Sequence, residues 1–153
     1  MPGEIAIDDP RAPDVSRLLA THLAEVHAPT PPEDRHALDV DGLCGPAVAF
    51  FSLRRDGVLI AVAALQRLDP DHAEVKSMHT VAAARGQGIG RRMLEHLIAV
   101  AREAGYKRVS LETGSMVAFA PARALYASAG FELCEPFGDY RASPNSTYMT
   151  LYL

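Results

Sequence analysis

Apolar positions along this chain recur in two periods, one typical of strands and one typical of helices. Apolar runs at 47–53 and 58–68 flank Arg54-Arg55-Asp56-Gly57, whose Asp-Gly pair favours a tight turn between antiparallel strands. The run at 58–65 shows no alternation, which indicates a central strand covered on both faces. From Ile89 onwards, apolar residues recur at three- and four-residue spacing, so an amphipathic helix is expected there.

The remaining pattern completes an α/β arrangement. We predict an N-terminal helix capped by Asp14 and running towards Val26, and a later helix between Pro121 and Gly130. The proline-rich segment 28–46 is expected to be a long ordered loop with a short helix at 33–38. The predicted strands are 4–7, 47–53, 58–68, 72–81, 108–113, 131–135 and 147–152. They predict one domain over residues 1–153, with a mixed, mostly antiparallel sheet flanked by helices on both faces.

Composition narrows the function classes. The chain is 48% hydrophobic and 22% charged with a formal net charge of −4, and its basic residues are scattered apart from Arg85, Arg91 and Arg92, so neither nucleic acid nor an anionic membrane is an expected partner. The acidic opening does not resemble a secretory signal, and two cysteines without CxxC spacing favour a reducing cytoplasm. The six histidines show no paired ligand spacing, so no metal is expected. A homodimer is a common arrangement for small enzymes.

A glycine-rich turn carries the strongest chemical signal. Gly86, Gly88 and Gly90 lie where a predicted strand becomes a helix, so backbone N–H groups and the positive end of the helix dipole can approach an anion. Arg85 adds a charged donor. The spacing differs from the dinucleotide fingerprint, and the Lys-Ser or Lys-Thr pair of a P-loop is absent.

The Arg85-x-x-Gly88-x-Gly90 pattern is similar to the acyl-CoA signature of the GNAT superfamily of acyl-CoA-dependent N-acetyltransferases. The stretch PARALYASAGF at 121–131 resembles that superfamily's later helix-strand motif, with Tyr126 at the motif tyrosine. The segments SLETGS at 110–115, CEPFGDY at 134–140 and PNS at 144–146 further resemble bacterial members of unassigned substrate.

This resemblance implies acetyl-CoA as cosubstrate and assigns its contacts by position. The pyrophosphate is expected at the turn, and main-chain groups of the preceding strand are expected to pair with the pantetheine arm. Arg91 and Arg92 are candidates for further phosphate contacts, or else an ordinary solvated helical turn. The expected contact residues are Met78, Thr80, Arg85, Gly86, Gln87, Gly88, Ile89, Gly90 and Arg91.

Acetyl transfer to an amine needs a proton acceptor and a proton donor for the departing thiolate. Glu74, fourteen positions before Gly88, resembles the glutamate base of one branch of the superfamily, and the competing interpretation is a surface carboxylate paired with Lys76. Glu112 is the alternate base. Tyr126 matches the tyrosine that serves many members as general acid, and the competing interpretation is a packed helix residue.

One position departs from the family pattern. Phe119 stands seven residues before Tyr126, where many relatives carry a cofactor-contacting asparagine, and Thr113 or Ser115 are candidate substitutes. The acceptor pocket is expected from the 28–46 loop, the end of the 108–113 strand and the 136–146 segment. Its polar candidates are His36, Tyr140 and Asn145, each of which could equally be a solvated loop residue.

The leading hypothesis is N-acetylation of a small primary amine by direct attack in a ternary complex, since neither motif contains a cysteine that could carry the acetyl group. Two alternatives stay open. One is acetylation of a protein N-terminus or lysine. The other is a regulatory module that binds acyl-CoA without catalysis.

Overall fold

The computed structural model describes residues 3–153 as a seven-stranded sheet with four α-helices. The strands are β1 Glu4–Ile7, β2 Val48–Arg55, β3 Val58–Asp69, β4 His72–Thr80, β5 Arg108–Gly114, β6 Glu132–Leu133 and β7 Ser146–Tyr152. The helices are α1 Pro13–His27, α2 Val40–Leu43, α3 Ile89–Glu103 and α4 Ala120–Ser128. No helix within residues 3–153 is long and apolar enough to cross a membrane.

The sheet has the order β1-β2-β3-β4-β5-β7-β6. The pair formed by β4 and β5 is parallel, and the other five pairs are antiparallel. Because α3 connects the parallel pair, the strand, glycine turn, helix and strand form the crossover unit that the sequence predicts. The mixed, mostly antiparallel architecture is confirmed.

Strand β3 lies between two apolar clusters, as expected from its run without alternation. Ala61, Ala63 and Leu65 face one cluster, whereas Val62 and Ala64 face the other, and all five side chains are buried. The first cluster includes Met93, Leu94 and Leu97 of α3 with Tyr126 of α4, and the second includes Val15, Leu18 and Leu19 of α1 with Leu43 of α2. Helices therefore cover both faces of the sheet.

Helix α1 begins two residues earlier than a cap at Asp14 would allow. Its first residue is Pro13, whose fixed φ suits the first helical position, and Ala12 precedes it without a side-chain cap. Asp14 lies in the first turn, where its carboxylate accepts hydrogen bonds from Arg54 at 2.7 and 3.1 Å. The predicted cap is therefore wrong, although the helix is present.

The short helix predicted at 33–38 is also wrong. The 28–46 loop contains a 3₁₀ turn at Pro32–Asp34 and then α2 at Val40–Leu43. Helix α2 begins after Asp39, whose carboxylate accepts a hydrogen bond from the Gly42 N–H at 2.8 Å. An aspartate cap at this position starts the helix later than the apolar pattern suggested.

Strand β6 is shorter than the predicted 131–135 strand. It covers Glu132–Leu133, and Phe131 packs into the core with 3% of its surface exposed. Gly130 has a φ of 100°, so it ends α4 in the left-handed conformation expected of a helix-terminating glycine.

The feature that shapes the site is the divergence of β4 and β5. These strands pair at only three positions, the last joining Glu74 to Ser110, although β5 continues beside β7 as far as Gly114. Beyond Glu74, β4 carries a bulge: its register against β3 shifts between Lys76 and His79, and Ser77 has a φ of 52°. The two strands therefore separate and leave an opening in the middle of the sheet.

Candidate active site

A cavity of about 170 Å³ occupies the opening between β4 and β5. One wall is residues 75–78 of the bulged strand and the other is Glu112, Thr113 and Gly114. Tyr126 of α4 closes one side, and the 28–46 loop covers another with His36. Backbone groups of the bulged segment lie along this cavity with no β5 partner in the ladder, so an extended ligand could pair with them.

The glycine-rich turn has the geometry of an anion site. Gly86 and Gly88 have φ values of 79° and 78°, and a Cβ on either would meet no atom within 4 Å, so backbone conformation is the reason for glycine at both positions. Gly90 is helical and packs against the side chain of Leu125. No backbone hydrogen bond within the described chain uses the N–H groups of residues 86–91, so these donors point into the space before α3.

Side chains around this turn make protein contacts. Arg85 donates to a carboxylate oxygen of Glu25 at 3.0 Å and to the carbonyl of Thr80 at 3.3 Å. Arg91 donates to Glu95 at 2.9 Å and to the Ser128 hydroxyl at 3.0 Å. The unpaired donors at the turn are therefore main-chain N–H groups, and the two guanidinium groups lie at its edges with protein partners.

The other predicted contact residues occupy different places. Gln87 accepts a hydrogen bond from Arg55 at 3.2 Å, and the Ile89 side chain is buried in the core. Met78 lines the cavity, whereas the Thr80 backbone pairs beyond it with Ala61 of β3.

Glu74 is buried and held by two polar neighbours. Its exposed fraction is 3%, and it accepts a hydrogen bond from the Tyr140 hydroxyl at 2.6 Å. Lys76 lies 3.2 Å from the same carboxylate oxygen and donates to the Tyr140 hydroxyl at 2.7 Å. Burial raises the pKa of Glu74, while Lys76 and Tyr140 oppose that rise. The pair with Lys76 exists, but it is buried rather than on the surface.

Glu112 is another carboxylate on the cavity, which Asp34 and Glu74 also line. Both of its oxygens lie within hydrogen-bond distance of Nδ1 of His36, at 2.8 and 2.7 Å. His36 belongs to the 28–46 loop and Glu112 to β5, so this pair joins the loop to the sheet.

Tyr126 lies on α4 with its ring near Phe131, at a centroid distance of 6.0 Å. Burial raises the pKa of its hydroxyl to about 12, so the phenol keeps its proton at neutral pH. No hydrogen bond joins this hydroxyl to another group in residues 3–153, and the residue lines the cavity. Tyr126 can therefore offer a proton to a group bound there.

Phe119 packs directly onto the backbone of Gly114. A Cβ at Gly114 would lie 2.1 Å from the Phe119 ring, so only glycine fits beneath it. Arg123 donates to the carbonyls of Gly114 and Met116 at 2.7 and 3.0 Å and fixes the loop around the ring. The aromatic ring at this position therefore forms an apolar wall of the cavity, where an asparagine would offer hydrogen bonds.

The remaining polar candidates are Asn145 and Tyr140 on the acceptor side, and Thr113 and Ser115 as substitutes for the family asparagine. Asn145 lines the cavity and donates to Asp34 at 3.1 Å, and Thr113 lies on the opposite wall. Tyr140 donates its hydroxyl hydrogen to Glu74, and its ring lies tilted against that of His36 at a centroid distance of 4.9 Å. The Ser115 hydroxyl bonds with Thr147 at 2.7 Å.

Sequence reasoning missed two features of the site. It treated Lys76 only as a surface partner, and it did not connect His36 with Glu112, which stand 76 residues apart. The alternation of β4 could have shown that Glu74 and Lys76 share a face, whereas nothing local links a loop histidine to a distant strand. Within residues 3–153, no three His, Cys, Asp or Glu side chains converge as metal ligands.

Known proteins match this chain over most of its length. The acetyltransferase (GNAT) family model matches residues 14–131. The chain is 45% identical over 146 residues to the uncharacterised N-acetyltransferase YsnE of Bacillus subtilis, covering 95% of this chain and 97% of that protein. It is 40% identical to the uncharacterised N-acetyltransferase YedL of Escherichia coli, covering 97% and 94%.

Solved structures share the fold. A GNAT family acetyltransferase from Elizabethkingia anophelis, solved with acetyl-CoA bound, superposes with a TM-score of 0.74 at 18% identity, covering 99% of both chains. The family match, the two curated relatives and the fold agree with the resemblance that the turn and the tyrosine motif carry. The chain belongs to the acetyltransferase (GNAT) family and is an acyl-CoA-dependent acetyltransferase.

Proposed function

We propose that this enzyme transfers an acetyl group from acetyl-CoA to the primary amine of a small molecule, by direct attack in a ternary complex. The observation that carries the proposal is the cavity itself. Glu74 and Tyr126, a buried carboxylate and a buried phenol, line one space between two diverging strands.

The residues present fit acetyl-CoA. The N–H groups at 86–91 suit its pyrophosphate, because they are unpaired donors at a helix start with glycines that allow close approach. The backbone of β4 at Met78 has no β5 partner, so it can form hydrogen bonds with the amides of an extended pantetheine arm. When bound, acetyl-CoA supplies the activated acyl group.

The side chains supply one proton acceptor and one proton donor for acetyl transfer. Glu74 is the proposed acceptor for the proton that the attacking nitrogen releases, because its raised pKa makes the carboxylate a better base than a solvated one. Tyr126 is the proposed donor to the departing thiolate. Neither Cys44 nor Cys134 lines the cavity, which favours direct attack over an acetylated enzyme.

The size of the cavity favours a small acceptor. Engineered cavities of about 150 Å³ hold benzene, so a space of about 170 Å³ that the acetyl donor also enters accepts a compact amine more readily than a folded surface. The 28–46 loop over the cavity also restricts the access of large acceptors. A protein acceptor would need to present a single extended side chain or terminus.

The test combines calorimetry with acetyl-CoA and a panel of amines followed by thiol release. Small amines should be acetylated with higher kcat/KM than peptides bearing free N-termini or lysines. The opposite ranking would replace the proposed substrate class, and binding of acetyl-CoA with thiol release at the background rate would show a regulatory module.

Two variants test the proposed roles. Tyr126→Phe should keep the ring packing and acetyl-CoA affinity while lowering kcat by about 10²-fold or more, and Glu74→Gln should lower kcat/KM by a similar factor. If both variants turn over like the wild type, the assigned roles are wrong even though the reaction class stands.

A further inference from the structure

The pair of His36 and Glu112 has a defined protonation geometry. A carboxylate only accepts hydrogen bonds, so with both Glu112 oxygens within 2.8 Å of Nδ1, that nitrogen carries the hydrogen. In a neutral imidazole the other nitrogen, Nε2, then holds the lone pair. Glu112 therefore sets the tautomer of His36 and leaves Nε2 as a proton acceptor.

The pair also connects the cavity to solvent. Both residues line the cavity, yet the His36 side chain is 30% exposed while that of Glu112 is 12% exposed. No group in residues 3–153 forms a hydrogen bond with Nε2 of His36. A proton taken up at Nε2 can therefore be released to water.

The chemistry of a primary amine requires two proton acceptors. Near neutral pH an alkylamine is an ammonium ion without a lone pair, so it must lose one proton before it can attack. Its nitrogen loses a second proton when the amide forms. Glu74, which is 3% exposed and bonded to Tyr140 and Lys76, has little access to water for releasing the first proton before the second arrives.

We infer that His36, oriented by Glu112, takes the proton that the acceptor ammonium loses before attack. This inference rests on the proposed function, because only an amine acceptor brings an ammonium to the cavity. The resulting imidazolium keeps its Nδ1–H hydrogen-bonded to the Glu112 carboxylate, which stabilises the added charge. The aspartate of a Ser-His-Asp triad stabilises the catalytic imidazolium in the same way.

The proton balance closes. The ammonium gives one proton to Nε2 of His36, and that proton leaves to bulk water. The neutral nitrogen forms a bond to the thioester carbon as the carbon–sulfur bond breaks; the nitrogen gives its second proton to Glu74, and the sulfur takes one from Tyr126. After the products leave, water that enters the emptied cavity carries the Glu74 proton to the Tyr126 phenolate, so the net release is one proton per acetyl transferred.

The surroundings of His36 include charges of both signs. Glu112 faces Nδ1 from β5, and the Lys76 ammonium of β4 donates to the His36 backbone carbonyl at 3.3 Å. The Tyr140 ring, which belongs to the segment before β7, lies 4.9 Å from the His36 ring. The Glu112 carboxylate forms a hydrogen bond with the ring on its Nδ1 side, and this leaves the Nε2 side towards the cavity and solvent for the proton transfer.

A purely structural tie between loop and sheet is the competing explanation, and His36→Asn separates the two. An asparagine amide N–H occupies the position of Nδ1–H and keeps the bond to Glu112, but it lacks any base at the position of Nε2. Thermal denaturation and the Kd for acetyl-CoA should match the wild type, which shows that the loop is in place.

The kinetic test compares two acceptors of one shape. The most active panel amine, R–CH₂–NH₂, is an ammonium at pH 7, whereas its isostere R–O–NH₂ is already neutral. His36→Asn should lower kcat/KM for the alkylamine by about 10²-fold at pH 7 and leave the oxyamine within about threefold of wild type. The defect on the alkylamine should shrink as the pH approaches that amine's own pKa.

Other outcomes overturn the inference. Equal losses on both acceptors, or no loss on either, would show that His36 does not remove the ammonium proton, while the proposed function would stand. A wild-type enzyme that acetylates no amine in the panel would instead refute the proposed function, and the inference with it.

Discussion

Replacing Tyr140 with phenylalanine tests how the buried carboxylate at the site is held. The hydroxyl makes two hydrogen bonds, one donated to Glu74 at 2.6 Å and one accepted from Lys76 at 2.7 Å. Both partners are charged and their side chains are 4% and 10% exposed, so water cannot easily replace the lost contacts. The ring, which packs against Phe137 and His36, is retained.

The magnitude follows from those two bonds. Hydrogen bonds to charged groups contribute about 1.5–3 kcal/mol each. Glu74 and Lys76 remain 3.2 Å apart and still compensate each other in part. We expect Tyr140→Phe to lower the free energy of unfolding by about 2–4 kcal/mol, which for a chain of this length lowers Tm by roughly 5–15 °C.

Urea denaturation at pH 7 measures the change, with Tyr148→Phe as the matched control. The Tyr148 residue is buried, and its hydroxyl donates to the neutral carbonyl of Arg141 at 2.8 Å, so its loss should lower stability by about 1 kcal/mol. A Tyr140→Phe effect equal to or smaller than the control would refute the view that the hydroxyl stabilises a buried ion pair.

The same variant has a kinetic consequence. Burial raises the pKa of Glu74, and the Tyr140 hydrogen bond lowers it, so removing the hydroxyl should raise the pKa further. If Glu74 acts as the base, the acid limb of the kcat/KM profile should move to higher pH in Tyr140→Phe. An acid limb at the same pH as in the wild type would show that the titration of Glu74 does not set that limb.

Two further predictions concern other parts of the chain. Burial lowers the pKa of His22 from its ordinary 6.5 to about 4, and its Nδ1 lies 3.0 Å from Nδ1 of His79. Because the unfolded chain binds a proton at His22 more readily than the folded chain, the free energy of unfolding should fall by about 3 kcal/mol as the pH drops from 6.5 to 4. His22→Asn should flatten that part of the stability profile in urea titrations. Gly88→Ala should weaken acetyl-CoA binding about tenfold by calorimetry. Gly105→Ala is the control, because Gly105 has a similar left-handed φ of 88° but follows the opposite end of α3; it should lower Tm similarly and leave the Kd unchanged.

Periodicity predicted most of the fold because its elements are governed by local patterns. The apolar run of β3 and the amphipathic α3 each specify their own burial, and the glycine at 130 ends α4 as expected. Element starts and short pieces were predicted less well. Pro13 moved the start of α1, and Asp39 moved the short helix in the loop, because single capping or ring-constrained residues outweigh a weak apolar pattern.

The turn at 86–91 has the left-handed glycines and the unpaired main-chain N–H groups that its local sequence pattern indicates, while the ligand of the turn stays a prediction. The site was less predictable where partners come from distant segments. Tyr140 joins Glu74 across 66 residues, and His36 joins Glu112 across 76. Such contacts depend on how the 28–46 loop and the 136–146 segment fold over the diverging strands. That arrangement is a property of the tertiary packing alone.

The divergence of β4 and β5 also has a consequence for folding. Residues 75–78 have no β5 partner where the sheet separates. Their amide hydrogens should therefore exchange with solvent faster than those of β3, which is paired on both sides. The pantetheine arm of acetyl-CoA, in the position proposed above, would act as the missing strand. Ligand present at 100 times its Kd would add about 2.7 kcal/mol to the stability of the whole domain, so the fold of this enzyme becomes more stable when its acetyl donor is abundant.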